Sequence, residues 1–455
     1  MPVVIIDDVS APTAPPRPRL ADFWHDLSRD GRLLLSTVAV NALGTGLVLP
    51  FAVVYLHDVR HLPLGTVGTV IAVPAMVALL LLGPVGSIID RFGPRRVQLV
   101  ALIAQALGSG LLAGVHTAPQ AAVAFAFIGV GQAAFWPASQ SLIAAVVPSA
   151  IRQRYFGVNF TLLNAGIGLG GLSAGLLVTT EHPWTFSGIY LADSASFLAP
   201  IVVLALPLRH VGNAVRHATH GTAQPDVPGA APAISAISGQ DARGGYLAVL
   251  HDSVFRNVLV ITFFSAFVGY AQMEAGWTAY ARVIADASTR VIGFAFAANT
   301  GVIVLLQLFV LQRIEGRRRT RALMLMSAIW AAAWTLMGAS GLVPGTLVAS
   351  VLLVVSLGVF GLGETLLSPV GAAVINDLAP DHLRGRYNAT NSAVFQVAAI
   401  VGPIAAGHLL GWRMPAVFVG MLLLGCAVMV VLLHRVERVI PAHANGVPQG
   451  QTARA

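Results

Sequence analysis

Three carboxylates interrupt otherwise apolar stretches of the chain: Asp193, Glu274 and Glu364. An ionised acid facing lipid at the centre of a bilayer costs ~2.5 to 3.5 kcal/mol or more, so each must face an interior cavity, meet a partner or carry a proton. A carboxyl group that moves between wet and dry surroundings takes up and releases a proton, which makes such an acid a candidate for proton coupling. Uncharged polar side chains fall in similar places. Gln132, Asn41 and Asn299 stand out, with Asn159, Asn164, Gln272, Gln307 and Gln396 beside them. Such groups bind a polar solute or pin one helix to the next. Tyr55, Trp136, Tyr270 and Trp277 offer aromatic surface for a cationic or lipophilic ligand, although aromatics near the ends of spans also serve as interface anchors.

These residues need a scaffold that keeps water away from them. Hydrophobic residues make up 56% of the chain and charged residues only 10%, against roughly 25% charged in soluble domains. With a mean hydropathy of +0.77, the chain reads as a polytopic membrane protein. A net charge of +8 could suggest nucleic acid, but the basic residues are scattered over loops and form no stripe, so no nucleic-acid partner is expected. All 27 of them are arginine, a usage that fits a high-GC bacterial genome. The one cysteine, Cys426, lies in the last apolar run, which leaves no disulfide framework and no cysteine metal site. His210, His217 and His220 lack the fixed spacing of a metal centre, and no P-loop is present. No cofactor, metal or catalytic constellation is therefore expected.

Because a bilayer core of ~30 Å takes ~20 apolar residues in a helix, breaks in the apolar runs divide the chain into twelve spans. These are 33–56, 64–89, 97–117, 121–146, 155–178, 187–207, 255–280, 290–311, 322–342, 346–375, 387–410 and 415–434. The expected organisation is an N-terminal tail over 1–32, a six-helix half over 33–207, a polar linker over 208–254, a second half over 255–434 and a tail over 435–455. With both termini in the cytoplasm, only Arg60, Arg282, Arg290 and Arg413 of the 27 arginines fall outside. Cytoplasmic loops are enriched in arginine, so charge supports the division drawn from hydropathy.

The halves also repeat. A shift of about 232 residues aligns Gly129, Gly131, Pro137, Pro148, Arg152, Arg154, Tyr155, Asn159, Gly170, Ala174 and Gly175 with Gly361, Gly363, Pro369, Pro380, Arg384, Arg386, Tyr387, Asn391, Gly402, Ala406 and Gly407. Between the second and third spans stands Gly86-Ser-Ile-Ile-Asp90-Arg91-Phe-Gly93-Pro-Arg95-Arg96, with a worn copy at Arg313 to Arg319. This turn resembles the signature loop of the major facilitator superfamily of secondary transporters. The fifth span carries Gly157, Gly166, Gly170, Gly171 and Gly175, similar to the glycine motif of that superfamily's antiporter-type exporters, except that Gly171 and Ala174 stand where the family has proline and glycine. Residues at such spacing let helix backbones cross closely.

The resemblance implies an all-α, twelve-helix fold of two six-helix repeats, working by alternating access as a monomer in the bacterial inner membrane among its lipids. It further implies that the first, fourth, seventh and tenth helices border a central cavity, which makes Glu274 and Glu364 the favoured coupling acids. Asp193, followed by Ser194 and Ser196, reads instead as a local hydrogen-bonded helix contact. Asp90 and its arginine neighbours are expected to latch the halves on the cytoplasmic side, with Asp377 paired to Arg317 or Arg318 in the second half. The implied activity is export of a small lipophilic or cationic molecule in exchange for protons. Uptake of a polar metabolite, and a lipid translocator or receptor on a transporter fold, remain as alternatives. One departure bears on coupling: Phe125 stands where the family's drug–proton antiporters commonly have an arginine.

Overall fold

Apolar runs of this length bury their own backbone hydrogen bonds by coiling, and the computed structural model is helical throughout its regular segments. It describes residues 23–24, 26–211, 249, 251–314, 316–380 and 383–446. Most of the expected linker, with His217 and His220, and Glu315 in the worn loop lie outside the described residues.

Among the described residues, eleven helices are long and apolar enough to cross a membrane: α1 (Arg29–Val59), α2 (Leu64–Leu81), α4 (Ala118–Val146), α5 (Arg154–Leu177), α6 (Trp184–Ala205), α7 (Ser253–Val283), α8 (Thr289–Ile314), α9 (Arg319–Ser340), α10 (Leu347–Leu367), α11 (Arg384–Gly411) and α12 (Pro415–Glu437). Helix α3 (Pro94–Leu112) has 19 residues, but Arg95, Arg96, Gln98 and Gln105 dilute its apolar character. By length and composition eleven of the twelve expected spans qualify among the described residues, and α3 is the one that falls short. Outward faces are apolar, as at Leu305 (78% exposed) and Leu308 (71% exposed), and a lipid-facing surface accounts for such a coat.

Local chemistry sets the helix ends. Ser28 Oγ accepts from Gly31 N at 3.1 Å to start α1, and Thr117 with Gln120 forms a capping box at the head of α4. Gly93, at φ +83°, ends the short helix Pro84–Phe92 that continues from α2 and turns the chain into α3. Arg95 reaches across to the C-terminus of α6, donating to Leu204 O at 2.8 Å and Ala205 O at 3.4 Å. Arg91 and Arg96 are exposed, whereas Gly86 is buried.

Helices α3 and α4, α1 and α5, α8 and α10, and α9 and α10 form the closest pairs, and the helices on either side of residues 212–248 pack chiefly among themselves. The two groups meet where α5 lies on α8 and where α11 lies on α2. Both contacts are made by glycine. A β-carbon on Gly175 would stand 2.7 Å from the Cα of Gly293, and one on Gly407 would stand 3.1 Å from the Cα of Gly68. Gly175 and Gly407 are equivalent residues of the repeat, so matched positions close both seams. Gly166 approaches α1 at Leu43 N and Ala39 O, Gly170 meets the α1 backbone at Leu43 and Leu47, and Gly171 faces Pro50 and Phe296. Gly157 has nothing within 4 Å, so the motif's first glycine plays no part in this packing.

At the same end the ion pair between Asp58 of α1 and Arg282 of α7 joins the two groups, and Thr289 Oγ1 donates to Val178 O at 2.9 Å. Arg60 lies over the Tyr55 ring and donates to its hydroxyl at 2.9 Å. The opposite end, which carries the arginine-rich loops, holds the C-terminal segment: Asn445 Oδ1 accepts from Thr320 N at 3.0 Å, and Arg319 donates to Ala444 O at 3.0 Å. Cys426 is buried within α12.

With side chains only about one-fifth exposed, the Asp58–Arg282 pair lies between a surface bridge and a buried one. Asp58→Asn is expected to lower the thermal midpoint of the detergent-solubilised protein, by an amount corresponding to about 1–3 kcal/mol. Exchange of the two residues should recover part of that loss, and equal midpoints for parent and Asp58→Asn would exclude a holding role for the pair.

Candidate functional site

A cavity of about 1090 Å³ lies between the two helix groups and extends toward the arginine-rich end, where Asn376, Asp377, Arg384, Val436 and Ile440 line it. At the other end the glycine seams and the Asp58–Arg282 pair close the bundle.

One acidic wall comes from α7, α8 and α10. Helix α7 departs from regular geometry over Gln272–Trp277, where it widens into a π turn. The extra residue in such a turn shifts the direction of side chains, and π turns recur at functional sites. Here Gln272, Met273, Ala275, Gly276 and Trp277 are buried, while Glu274 is exposed to the cavity. Gln272 Nε2 donates to Gly402 O at 3.2 Å and so ties the wide turn to α11. Glu364 is only 7% exposed; its Oε2 accepts from Asn299 Nδ2 at 2.7 Å, and Tyr270 lines the same cavity. Glu274 is close enough for the charges of the two glutamates to repel when both are ionised. Glu274, Glu364 and Asn299, three residues singled out from sequence, thus come together at one place.

The second acidic site is on α6. Asp193 makes no bond with Ser194: Ser194 Oγ donates to Ala106 O, and the Asp193 side chain turns to α3. Asp193 Oδ2 accepts from Ser109 Oγ at 2.6 Å, while Ser196 Oγ donates to the Asp193 carbonyl at 2.7 Å. The reason is geometric. Ser109 lies across the α3–α6 contact, whereas Ser194, one residue on, points to another face of the helix. Asn41 Nδ2 reaches Ser196 Oγ at 3.5 Å, and Asp193 and Asn41 both line the cavity. Gln132 also lines it, from α4, and is exposed there.

Of the four aromatic candidates, Trp136 and Tyr270 line the cavity, whereas Tyr55 and Trp277 are fully buried. The Tyr55 hydroxyl donates to Leu112 O at 2.5 Å and the Trp277 indole to Ser356 Oγ at 3.0 Å, so both are packing residues. Phe125, at the position of the family's arginine, is a lining residue, as are Gln105, Ser109 and Tyr190. Sequence reasoning passed over these last three, although Gln105 and Ser109 were visible as polar breaks in the third span. Asp377 pairs with Arg319 at 2.6 Å instead of Arg317 or Arg318. Arg318 is taken by Glu437 at 3.0 Å, and Arg319, held by the C-terminal segment, is the guanidinium left facing Asp377. Asp90 is exposed and makes no hydrogen bond or ion pair among the described residues.

Family comparison gives the same architecture. The model of the Major Facilitator Superfamily matches residues 34–359 and 277–454. The chain belongs to that superfamily. It is therefore a transporter of small molecules and not an enzyme. Among its relatives is the quinolone resistance protein NorA of Staphylococcus aureus (strain MRSA252), 23% identical over 403 residues that cover 87% of this chain and 94% of NorA. A Na(+), Li(+), K(+)/H(+) antiporter of Planococcus maritimus is 33% identical over 136 residues, 29% of this chain and 32% of the antiporter. Among solved structures, the nucleoside transporter NupG superposes with a TM-score of 0.66 at 14% identity, covering 90% of this chain and 99% of NupG. That likeness extends to the fold alone.

Loss of the donor to Glu364 has a defined signature. Asn299→Ala is expected to lower the thermal midpoint of the detergent-solubilised protein by an amount corresponding to about 1.5–3 kcal/mol, the range for a hydrogen bond to a charged group. In the Glu364→Gln background the same substitution should cost less. An equal loss in both backgrounds would remove Asn299 as the partner of a charged Glu364.

Proposed function

We propose that the protein is a secondary exporter that exchanges protons for a small lipophilic cation. The observation that carries this reading is the charge of the cavity wall: among the described lining residues, Asp193, Glu274, Glu364 and Asp377 are acids and Arg384 is the one base. A cleft of one sign with low-dielectric walls concentrates ions of the other sign. Aromatic and aliphatic residues such as Phe125, Phe135, Trp136 and Leu367 supply apolar area beside those charges, which suits a ligand that combines a cation with a hydrophobic body. NorA, a quinolone resistance protein, and the Planococcus cation/proton antiporter are relatives that support this reading.

In this reading the two six-helix halves rock about the glycine seams, both termini are cytoplasmic, and the cavity faces the cytoplasm, where the cargo enters. Two ionised glutamates within reach of each other repel, and a proton on either one relieves the repulsion. Protonation of the Glu274–Glu364 pair and occupation by a cation are thereby made alternatives. Asp90 engages the second half at the cytoplasmic side only after that side has closed, which agrees with its exposed position here.

Proteoliposomes loaded with a panel of cationic dyes test the exchange. The parent should move a cationic dye only when a pH gradient is imposed, and Glu274→Gln or Glu364→Gln should reduce gradient-driven transport at least tenfold. Equal gradient dependence in all three proteins would remove the glutamates from coupling. Asp90→Asn is expected to slow the cycle several-fold while leaving equilibrium binding of the dye within twofold; unchanged turnover would exclude the latch.

A further inference from the structure

The wide turn of α7 leaves a polar group unsatisfied at each of its ends. At one end Gln272, 0% exposed, commits its amide nitrogen to Gly402 O, and its Oε1 has no hydrogen-bond partner. At the other end Thr278 is also 0% exposed, and its hydroxyl has no partner. A threonine inside a regular helix can bond the carbonyl four residues earlier. Thr69, Thr161, Thr335 and Thr390, in four other spans, each do so at 2.8–3.0 Å. For Thr278 that carbonyl belongs to Glu274, and the wide turn sets it out of register: the Thr278 N–H bonds Ala275 O. Buried polar groups without partners are costly, and here two of them bracket one turn. A regular turn would give Thr278 its acceptor.

The surroundings allow that change. Just ahead of the turn Gly269, at φ −99° and ψ −109°, interrupts α7, so a shift of register has a place to end. Beyond the turn Tyr280 donates to Gly338 O at 3.0 Å and Arg282 pairs with Asp58, which holds the rest of α7 in place. Gly269 has no room for a β-carbon beside Trp330, and Gly276 has none beside Gln272 Oε1 and Phe418. Successive residues of an α-helix stand about 100° apart around its axis. Closing the turn by one residue therefore swings Glu274 by up to about 100°, out of the cavity and into the wall where Met273 and Ala275 are buried. A carboxyl group enters such a wall only when neutral.

We propose that the wide turn of α7 is a register switch that swings Glu274 between the cavity and the packed wall, with Gln272 and Thr278 as its positioning residues. Gln272 holds the wide form through Gly402, and Thr278 holds the regular form through the Glu274 carbonyl. Because only a protonated Glu274 enters the wall, the switch withdraws a proton from the cavity, and it returns the side chain as a carboxylate once the proton has left. Glu364 and Tyr270 are the titratable groups whose charges reach Glu274; Trp330, Gly402 and Phe418, which meet this stretch of α7 from α9, α11 and α12, carry no charge. The proposal rests on the export reading above and gives the Glu274–Glu364 pair a moving member.

The test reads Glu274 itself. The full chain in lipid nanodiscs is treated at one pH either with a water-soluble carbodiimide or with dicyclohexylcarbodiimide, which modifies protonated carboxyl groups in apolar surroundings, and modification of each glutamate is measured by peptide mass spectrometry. Gln272→Met should raise the ratio of apolar to water-soluble modification at Glu274 about fivefold, the effect of one net hydrogen bond, and Thr278→Val should lower it by as much. The ratio at Glu364 should stay within twofold in both variants, which separates the switch from a general loosening of the bundle. Thr278→Val should also leave the thermal midpoint of the parent unchanged and lower that of Glu274→Gln by several degrees, because a neutral side chain favours the regular turn. That contrast answers the question where Gln272→Met fails to fold. A Glu274 ratio that ignores both substitutions, or one that Glu364 follows, overturns the switch; the export reading survives if Glu274→Gln still abolishes gradient-driven transport. A ratio that responds as expected while Glu274→Gln exports like the parent keeps the switch and removes Glu274 from coupling.

Discussion

The contact on which the rest of the structure depends is the approach of helix backbones at two glycine seams, Gly175 against Gly293 and Gly407 against Gly68. Between bulkier residues helix axes stay ~8–10 Å apart, and only small residues let backbones touch. With the seams tight at one end, helices of this length diverge toward the other, and the divergence is the cavity. Its extension toward the arginine-rich end is in keeping with where the seams lie. The Asp58–Arg282 pair reinforces the closed end without defining it, because an ion pair holds two side chains whereas the glycines fix two backbones.

Within the cavity the acids are positioned by unlike devices. A wide turn in α7 brings Glu274 into the open space, a hydrogen bond from Asn299 holds Glu364 at the wall, and Ser109 orients Asp193 from a neighbouring helix. The glutamates can feel each other's charge, whereas Asp193 stands apart with one oxygen uncommitted. Electrostatics therefore separates the acids into a pair and a single, a distinction that residue type alone could not make.

Much of the scaffold was legible in the sequence because it rests on local or repeated signals. Apolar length predicted the helices to within a few residues at most ends, Gly93 predicted the turn after the second span, and the 232-residue repeat marked Gly175 and Gly407 as equivalents before their shared role in the seams was visible. The site was legible only in outline. Glu274, Glu364 and Asn299 could be named from their positions in apolar runs, but their convergence depends on the packing of three helices. The Asp193–Ser109 bond and the Asp377–Arg319 pair were missed because each is settled by competition among neighbours distant in sequence: Ser109 is 84 residues from Asp193, and Glu437 draws Arg318 away from Asp377. The third helix fell short of the others in apolar character because its arginines and glutamines serve loop and cavity, roles that averaging over a window cannot resolve.

Cys426 has a use unrelated to packing. As the chain's only thiol, enclosed within α12, it is hidden from aqueous maleimides, so the unmodified protein serves as its own blank. A cysteine introduced on either wall of the cavity or at either seam can be followed by labelling without first stripping the native sequence of thiols.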